Sequence, residues 1–524
     1  MTSHPVVDTS VIGLGFLLPQ NHTLDFLSGS DWGLYFVDYQ GTGGRQLLEK
    51  LRLFDTEFLQ SFDGDYLFFG TDKIKNELHV ISSISGKFPV YFSCTSNRVV
   101  VSTDIGEVVR RTQTKKLNAR SVADYLFTDY MLYLTHETPF EGVFKLPPGH
   151  RLRVDGKFRF KIKPITTADE FLTRPIKQYT NKIDFQKNLL AKIESIVLKY
   201  AKYWQTKGKN LTSDLSCGFD STLLAYCLKN NGFNQTDFFS YQSKFDTGDT
   251  ISAIVKEFAA KHNLKLNIWD ESEVITFDDV DIEWTQKHFF PGSHAALKEI
   301  LTQKYKRKLL EGEYVTFHGY GGDELYMTNL ISHDLEKIMK EELAWVEQGI
   351  KLGVDKVFTE KTLNILKDKK RFVETPLYFS PLATTGLEWF LFPVYWEYGD
   401  WGVLPYNNIE LNQLARSIPI NNDGKAIKKQ EVWSGRTDIF TQSQFRQKLP
   451  FDNHVMRIFD VRREFLIKTL EYSILGKQGF IDSKKMVEII RERKGKEYFA
   501  GILPVFINII RLEIFLQGNG FDWI

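Results

Sequence analysis

The sequence is poor in cysteine and has no excess of charge of either sign. Its 524 residues include three cysteines, Cys94, Cys217 and Cys227, which are too few for a disulfide framework and have no CxxC metal spacing. Lys and Arg number 67 against 66 Asp and Glu, so no overall field attracts nucleic acid or an anionic membrane. These features predict a cytoplasmic protein that binds neither nucleic acid nor membrane.

Long hydrophobic runs are also missing. The N-terminal "VIGLGFLLP" is short and follows no basic residue, so we interpret it as a first buried strand and not as a signal segment. Near the other end, "GILPVFINIIRLEIFL" contains Arg511 and Glu513, which favours a core helix over a membrane span.

The length exceeds what one hydrophobic core usually supports, so we expect two domains. From residue 8 to about 160, short apolar or alternating runs are separated by Gly, Asn and Asp, which is typical of strands and turns. A polar stretch with two prolines follows. We therefore predict a β-rich domain at 1–162, a linker at 163–183 and a second domain at 184–524.

The second domain begins with alternating strand and helix patterns. The segments "TDFFSYQS", "KLNIWD" and "EYVTFHG" are strand-like, and "TISAIVKEFAAKHNL" is helical. This alternation predicts an α/β fold with a parallel sheet, whose ligands bind at the carboxyl ends of the strands. Residues 331–524 are mostly of helical periodicity.

A polar turn, "SCGFDS" at 216–221, lies between a predicted strand and a predicted helix. Such a turn forms an anion site because free N–H groups and the helix dipole favour negative charge. Asp220 would repel a bare phosphate, so its presence predicts Mg²⁺ bound together with a nucleotide. The alternative is an ordinary helix start with Ser and Asp capping its amides. Asp214, just before it, is unusual for a buried strand: the strand has ended there, or the acid faces the site.

A second turn, "FHGYGGDELY" at 317–326, follows another predicted strand. Its glycines allow close backbone approach to a ligand, and Asp323 with Glu324 supplies a second acid for the same metal. The alternative is a tight turn whose acids cap the next helix.

These two motifs resemble those of the asparagine synthetase family, in which a Ser-Gly-Gly-x-Asp-Ser loop binds pyrophosphate. "VLPYNNIELNQLARSIP", "DGKAIKKQEV" and "FRQKLPF" are similar to later family segments, and "SFDGDYLFFGTD" and "SISGKFPVYF" are similar to the family's glutaminase domain. The resemblance implies an N-terminal Ntn-hydrolase-like β sandwich. It implies a C-terminal PP-loop ATPase domain of the adenine nucleotide α-hydrolase type, with a helical C-terminal part.

One departure bears on function. A working glutaminase of this family needs an N-terminal cysteine, but this sequence begins Met1-Thr2-Ser3-His4 and lacks the family's Arg-Gly-Pro and Asn-Gly-Glu segments. We therefore expect an inactive glutaminase-like domain. The resemblance then favours the branch of β-lactam and carbapenam synthetases and lasso-peptide macrolactam cyclases, in which ATP activates a carboxylate as an acyl-adenylate and an amine of the substrate attacks it.

The resemblance also implies roles for individual residues in the first step. Asp220 and Asp323 would hold Mg²⁺ on the phosphates of ATP, and Tyr241 would lie beside the adenine, unless it is simply a core aromatic. The remaining nucleotide contacts are expected from Ser216, Gly218, Ser221, Gly321 and Lys425.

In the second step a base must deprotonate the attacking amine, and Tyr320 matches the tyrosine that does so in β-lactam synthetases. Its acidic partner would be Glu388, with Glu397 as the competitor. Lys448 matches the family's catalytic lysine, which stabilises the oxyanion and the leaving phosphate. For either lysine, Lys448 or Lys425, the alternative is a solvated surface charge; for Tyr320 it is an aromatic lid.

Several alternatives stay open. The substrate is a small molecule or a peptide that carries a carboxylate and an amine, and a peptide cyclase would work with a partner protease or leader-binding protein. Other readings are an ammonia-dependent asparagine synthetase and a nucleotide-binding pseudoenzyme. Cys217 replaces the first of the family's paired glycines, which favours the pseudoenzyme; it would obstruct the phosphate loop or serve as a low-pKa thiol.

Overall fold

The computed structural model describes most of the chain. The described residues are 12–14, 25–96, 98–127, 135–167, 170–171, 179–216, 218–242, 248–270, 279–288, 294–323, 325, 335–368, 394–395, 398–419, 428–441, 462–492 and 496–521.

Ten strands form two sheets in the described N-terminal residues. They are β1 (Ile12–Leu14), β2 (Asp25–Ser28), β3 (Trp32–Asp38), β4 (Gly64–Asp72), β5 (Glu77–Ser82), β6 (Tyr91–Cys94), β7 (Val99–Ser102), β8 (Phe144–Lys145), β9 (His150–Val154) and β10 (Phe160–Pro164). The larger sheet has the order β10-β9-β5-β4-β3-β2 and is antiparallel throughout. The smaller sheet has the order β1-β7-β6-β8, and β1 runs parallel to β7.

Alternation along β4 explains how the larger sheet is buried on both faces. Tyr66 and Phe68 pack with the helices beside one face, while Leu67 and Phe69 join the core that reaches into the C-terminal part. The β-rich character predicted for the N-terminal part is confirmed by these two sheets. Its helices are α1 (Gly44–Leu53), α2 (Thr56–Ser61), α3 (Ile105–Thr112) and α4 (Ala119–Phe127).

A parallel sheet follows in the C-terminal part, as the alternating pattern predicted. Its order is β13-β12-β11-β14-β15, and all four neighbouring pairs are parallel. Four of these strands match the predicted segments, whereas β15 lies in a region expected to be mostly helical. The strands are β11 (Asn210–Asp214), β12 (Asp237–Gln242), β13 (Lys265–Asp270), β14 (Tyr314–Phe317) and β15 (Asp400–Val403).

Helices cover both faces of this sheet and fill the rest of the described C-terminal part. The first five are α5 (Lys182–Thr206), α6 (Phe219–Asn230), α7 (Gly248–His262), α8 (Asp279–Lys287) and α9 (His294–Leu309). Further along are α10 (Leu335–Lys351), α11 (Glu360–Lys367), α12 (Ile409–Ala415), α13 (Lys429–Val432), α14 (Arg463–Glu471), α15 (Ile474–Lys477), α16 (Ser483–Glu492) and α17 (Lys496–Gly518). Among the described helices, none has the length and apolarity needed to cross a membrane.

The long helix α17 shows why an apolar segment can carry charge inside a core. Glu513 is fully buried and accepts hydrogen bonds from the backbone N–H groups of Ile474 and Leu475 at the start of α15. The carboxylate therefore satisfies amides that a helix leaves unpaired at its first turn. The core helix predicted from the sequence is confirmed in this respect.

The two faces of the parallel sheet differ in polarity. Leu211, Val315 and Phe317 belong to the main apolar core. The opposite face, under α9, carries polar side chains from neighbouring strands, which lie next to one another because Thr212 pairs with Thr316 in the register of β11 and β14. Polar side chains on this face include Thr212, Asp214, Thr316, His318 and Asp400.

Candidate nucleotide site

The first polar turn folds as a strand, a turn and a helix start. Ser216 and Ser221 bring their hydroxyl oxygens within 2.8 Å, and the backbone N–H of Ser216 donates to Ser221 Oγ at 3.0 Å. Gly218 is the N-cap of α6, where no described side chain caps the helix, and its own N–H donates to Ser216 Oγ at 3.1 Å. The turn thus combines two serine hydroxyl groups with the start of a helix, a combination that is typical of an anion site.

The second polar turn packs directly on the first. A Cβ added at Gly322 would lie 2.1 Å from Cγ of Asp220, and one at Gly319 would lie 2.8 Å from the backbone N of Ser221. Gly321 has φ +91°, a conformation that side chains other than hydrogen rarely adopt. These glycines permit close approach, and the surface that they approach is the first turn of α6.

The two motif acids share one cation. The ammonium group of Lys429 lies 2.5 Å from Asp220 Oδ2 and also contacts Asp323. Asp220 is largely buried, whereas the side chain of Asp323 is 68% exposed. The structure brings the two acids to one shared partner, a lysine that the sequence did not single out, and their predicted role as metal ligands stays a prediction.

Packing of the segment around α13 holds Lys429 in place. The side-chain amide of Gln186 on α5 donates to the carbonyl of Val432, and Lys261 on α7 donates to the carbonyl of Phe440 at 3.0 Å. The ring of Phe440 meets Phe219, at the start of α6, edge to face with centroids 4.9 Å apart. The segment is therefore attached to α5, α6 and α7.

The charge of Lys429 is stabilised despite burial. Burial alone would lower the pKa of this ammonium group, but the carboxylates of Asp220 and Asp323 outweigh it and raise the pKa above its usual value. A cation is thus favoured between the two acids. Among the described residues, no group of three or more His, Cys, Asp and Glu side chains is placed so that it could hold a metal ion. Two carboxylates suit Mg²⁺, which is commonly bound by one or two carboxylates together with phosphates and water.

Asp214 is the last residue of β11, so the strand has not ended before this acid. Its carboxylate forms an ion pair with the fully buried Lys306 of α9, with Nζ 2.7 Å from Oδ1. Nδ1 of His318 lies 2.6 Å from the other carboxylate oxygen. The acid therefore belongs to the strand, and its carboxylate faces a buried basic group.

Charges around this buried network shift the acids in opposite directions. Burial alone would raise the pKa of Asp214, but Lys306 and His318 hold it well below its usual value. Asp400 accepts hydrogen bonds from Thr316 and Gln303 at 2.6 and 2.8 Å, yet burial raises the pKa of its carboxyl group. Asp214 is therefore the ionised partner of the buried lysine.

Tyr320 lies in the second turn next to this network. Its ring stacks on the ring of His318, with centroids 5.6 Å apart and planes inclined by 27°. The other neighbour of the imidazole is Tyr395, whose ring centroid lies 4.7 Å away. Tyr320 is partly buried, so the tyrosine predicted as a base lies at the border between the core and the site.

The other predicted residues are only partly covered. Tyr241 is in β12 opposite Trp269, which places it near the carboxyl end of the sheet; its side chain is outside the description. The remaining predicted residues lie outside the described residues, namely Cys217, Glu324, Glu388, Glu397, Lys425 and Lys448. Their roles stay predictions.

Sequence reasoning missed Lys429, Lys306 and His318. The signal for Lys429 was the run of lysines in "DGKAIKKQEV", from which only Lys425 was selected. Lys306 lies in "KYKRKL", a run that looks like a solvated helix face, and nothing local distinguishes its one buried lysine.

Comparison with known proteins identifies the N-terminal part. Residues 45–162 match the glutamine amidotransferase domain, from the start of α1 to the middle of β10. A search of curated proteins gives no match for the chain. The matched domain fits the N-terminal domain of asparagine synthetases and indicates an enzyme of the amidotransferase type.

Proposed function

We propose that the chain is an ATP-dependent, AMP-forming amide synthetase that works without glutamine hydrolysis. One observation carries this proposal: two acids from two glycine-containing turns, Asp220 and Asp323, meet around a single cation at the carboxyl ends of adjacent parallel strands. That edge is where ligands bind in parallel α/β sheets.

The proposed first step is activation of a carboxylate. A carboxylate oxygen of the substrate attacks the α-phosphate of ATP, the bond to the pyrophosphate breaks, and an acyl-adenylate forms. Mg²⁺ would neutralise the phosphates, held by Asp220 and Asp323. The uncapped start of α6, Ser216 and Ser221 would bind the pyrophosphate, and Lys429 would add a further positive charge beside it.

The proposed second step is amide formation. An amine of the substrate loses its proton, attacks the activated carbonyl carbon, and AMP leaves. Tyr320 is the proposed base, with Glu388 or Glu397 as its partner, and Lys448 would stabilise the oxyanion. Tyr320 supports an intramolecular reaction of the β-lactam type over a peptide macrolactam. The missing Arg-Gly-Pro and Asn-Gly-Glu segments support an amine that does not come from glutamine.

Titration calorimetry with Mg-ATP tests the nucleotide site directly. Asp220→Asn and Asp323→Asn are the test variants, and Asp237→Asn is the control. Asp237 is also an acid of the parallel sheet and also pairs with a lysine, Lys265, but it lies at the amino end of β12. We expect each test variant to weaken Mg-ATP binding by about tenfold or more, because each removes a charge next to the metal.

The control variant should bind like the wild type. We also expect pyrophosphate to be released from Mg-ATP when carboxylate and amine substrates are added together. The rate of release should be low in Asp220→Asn and Asp323→Asn and close to the wild-type rate in Asp237→Asn. A wild-type protein that does not bind Mg-ATP at millimolar concentration, or test variants that match Asp237→Asn, would contradict the proposed function.

A further inference from the structure

Asp63 of the glutamine amidotransferase-like domain makes polar contacts with the C-terminal part. It lies between α2 and β4 and is mostly buried, with 15% of its side chain exposed. Its carboxylate accepts hydrogen bonds from the hydroxyl of Tyr200 at 2.5 Å and from the ammonium group of Lys199 at 2.6 Å, both on α5. A third donor, Nδ2 of Asn408, lies 3.2 Å away.

Asn408 links this contact to the loop between β15 and α12. Its Oδ1 accepts hydrogen bonds from the backbone N–H groups of Glu410 and Leu411, each at 3.1 Å, and so caps α12. The amide nitrogen faces Asp63 and lies 3.3 Å from the hydroxyl of Tyr200. Both ends of the side chain are therefore fixed, which holds the residues just before α12 against the N-terminal domain.

Those residues contact the nucleotide site itself. Tyr406 belongs to the short 3₁₀ turn Pro405–Asn407 that follows β15, and it is 2% exposed. Its hydroxyl donates a hydrogen bond at 3.0 Å to the backbone carbonyl of Asp220, and its own carbonyl accepts from Nδ2 of Asn412 at 2.8 Å. A hydrogen-bonded route thus runs from Asp63 through Asn408 and its loop to the backbone of Asp220.

The loop is not fixed by tight packing alone. A cavity opens beside the junction of the two parts and is lined by Asp63, Tyr200, Asn407 and Asn408, among others. A loop next to a cavity has fewer contacts on that side, so its hydrogen bonds take a larger part in setting its position.

We propose that Asp63 is a positioning residue of the nucleotide site: through Asn408 and Tyr406 it sets the position of the backbone at Asp220. This inference rests on the proposed function, because it takes Asp220 as a ligand of Mg-ATP. It gives the amidotransferase-like domain a role that needs no hydrolysis of glutamine, namely support of the site in the other domain.

Calorimetric titration of the full chain with Mg-ATP tests the proposal, with Asp63→Asn as the test variant. Asp25→Asn is a matched control, because Asp25 also lies in the N-terminal domain and also contacts a tyrosine of α5 and a lysine, Lys207, which directly follows that helix. Its carboxylate lies 2.8 Å from Lys207 Nζ and 3.5 Å from the hydroxyl of Tyr203. Nothing in the described contacts of Asp25 leads to the loop before α12.

We expect Asp63→Asn to raise the Kd for Mg-ATP about fivefold, because the variant weakens the charged hydrogen bonds that the carboxylate accepts. Asp25→Asn should leave the Kd within about twofold of the wild-type value. Asp63→Asn should lower the Tm more than Asp25→Asn, because the side chain of Asp63 is more buried than that of Asp25. Tyr406→Phe removes the other end of the route and should raise the Kd by a similar factor. The double variant should then be no weaker than either single variant, since the two residues act in series.

Three outcomes overturn the proposal: equal Kd values for Asp63→Asn and Asp25→Asn, additive losses in the double variant, or a Tyr406→Phe protein with wild-type affinity. Tyr406→Phe keeps the test decisive if Asp63→Asn does not fold. Failure of the proposed function has a different result: the wild-type protein itself then does not bind Mg-ATP. In that case both proposals are wrong, whereas failure of the present inference alone leaves wild-type binding intact.

Discussion

Lys429 forms an ion pair with Asp220, with 2.5 Å between Nζ and Oδ2. The ammonium group supplies the positive charge that Asp220 and Asp323 require. A bound Mg²⁺ would compete with the lysine for these oxygens, and the displaced ammonium group would be close enough to meet the phosphates. The ion pair therefore predicts a dependence of nucleotide binding on both the lysine and the metal concentration.

We expect Lys429→Met to weaken ATP binding about tenfold at low Mg²⁺ concentration, because a positive charge beside the phosphates is lost. At high Mg²⁺ concentration the loss of affinity should be smaller. In the variant the metal binds Asp220 without competition from a lysine, and this gain offsets part of the lost charge. Titration calorimetry at two Mg²⁺ concentrations measures both effects. Lys428→Met is the control, because this neighbouring lysine is exposed. Equal affinities for the two variants would contradict the prediction.

The contact between the two polar turns predicts a steric effect at Gly319. A methyl group there would lie 2.8 Å from the backbone N of Ser221, and a backbone atom cannot move aside as a flexible side chain can. We expect Gly319→Ala to lower the free energy of unfolding by about 1 to 3 kcal/mol and to abolish most Mg-ATP binding. Urea unfolding and calorimetry measure the two effects. Wild-type affinity in this variant would show that the two turns can separate without loss of the site.

Local sequence patterns predicted the parts of the site that lie within one strand, turn and helix. Ser216, Gly218 and Ser221 are neighbours in the chain, so their arrangement follows from the strand and helix around them. The strand β15 was missed because "DWGV" is short, begins with a buried acid and contains a glycine, none of which favours a strand. Its place in the sheet depends on pairing with β14, which is distant in sequence.

The basic partners of Asp220 and Asp214 could not be predicted from local sequence either, because they too are distant in the chain. Lys429 is 209 residues from Asp220, and Lys306 is 92 residues from Asp214. A sequence can show that an acid occupies an unusual position, as it did for Asp214. Helix packing then decides which of the chain's many lysines neutralises that acid. Lys306 is selected because α9 lies across the polar face of the sheet.

The buried ion pair between Asp214 and Lys306 predicts asymmetric effects of substitution. Asp214→Asn leaves a buried ammonium group without its counter-charge, so we expect a loss of about 3 to 5 kcal/mol in the free energy of unfolding. Removing both charges in Asp214→Asn with Lys306→Met should restore part of this loss, because the buried ammonium group is removed together with its counter-charge. Urea unfolding of the single and double variants tests this, and a double variant less stable than Asp214→Asn alone would contradict it.

The same ion pair predicts how acid acts on stability. The pKa of Asp214 is lower in the folded protein than in the unfolded chain, so its contribution is present above pH 4 and is lost as the pH falls further. The difference in free energy of unfolding between wild type and Asp214→Asn should therefore shrink below pH 4. Unfolding curves at pH 7 and pH 3 measure this difference, and a constant difference would contradict the assignment of Asp214 as the ionised partner.

His150 predicts a separate dependence on pH in the N-terminal domain. The side chain is 2% exposed at the start of β9, its Nδ1 lies 2.8 Å from the carbonyl of Pro148, and burial lowers its pKa from 6.5 to about 4. Because the folded protein binds this proton less tightly than the unfolded chain does, stability is present above pH 6.5. It is lost as the pH falls from 6.5 to about 4.

A shift of this size corresponds to a loss of about 3 kcal/mol at pH 4 relative to pH 7. His150→Gln keeps a side chain able to donate to Pro148 but cannot take up a proton, so it should lose less stability over the same range. Measuring the free energy of unfolding of both proteins from pH 7 to pH 4 isolates the histidine, because all other carboxyl and imidazole groups are common to the pair. Parallel curves for the two proteins would show that His150 does not titrate with a lowered pKa, since a neutral buried imidazole is the only source of the expected divergence.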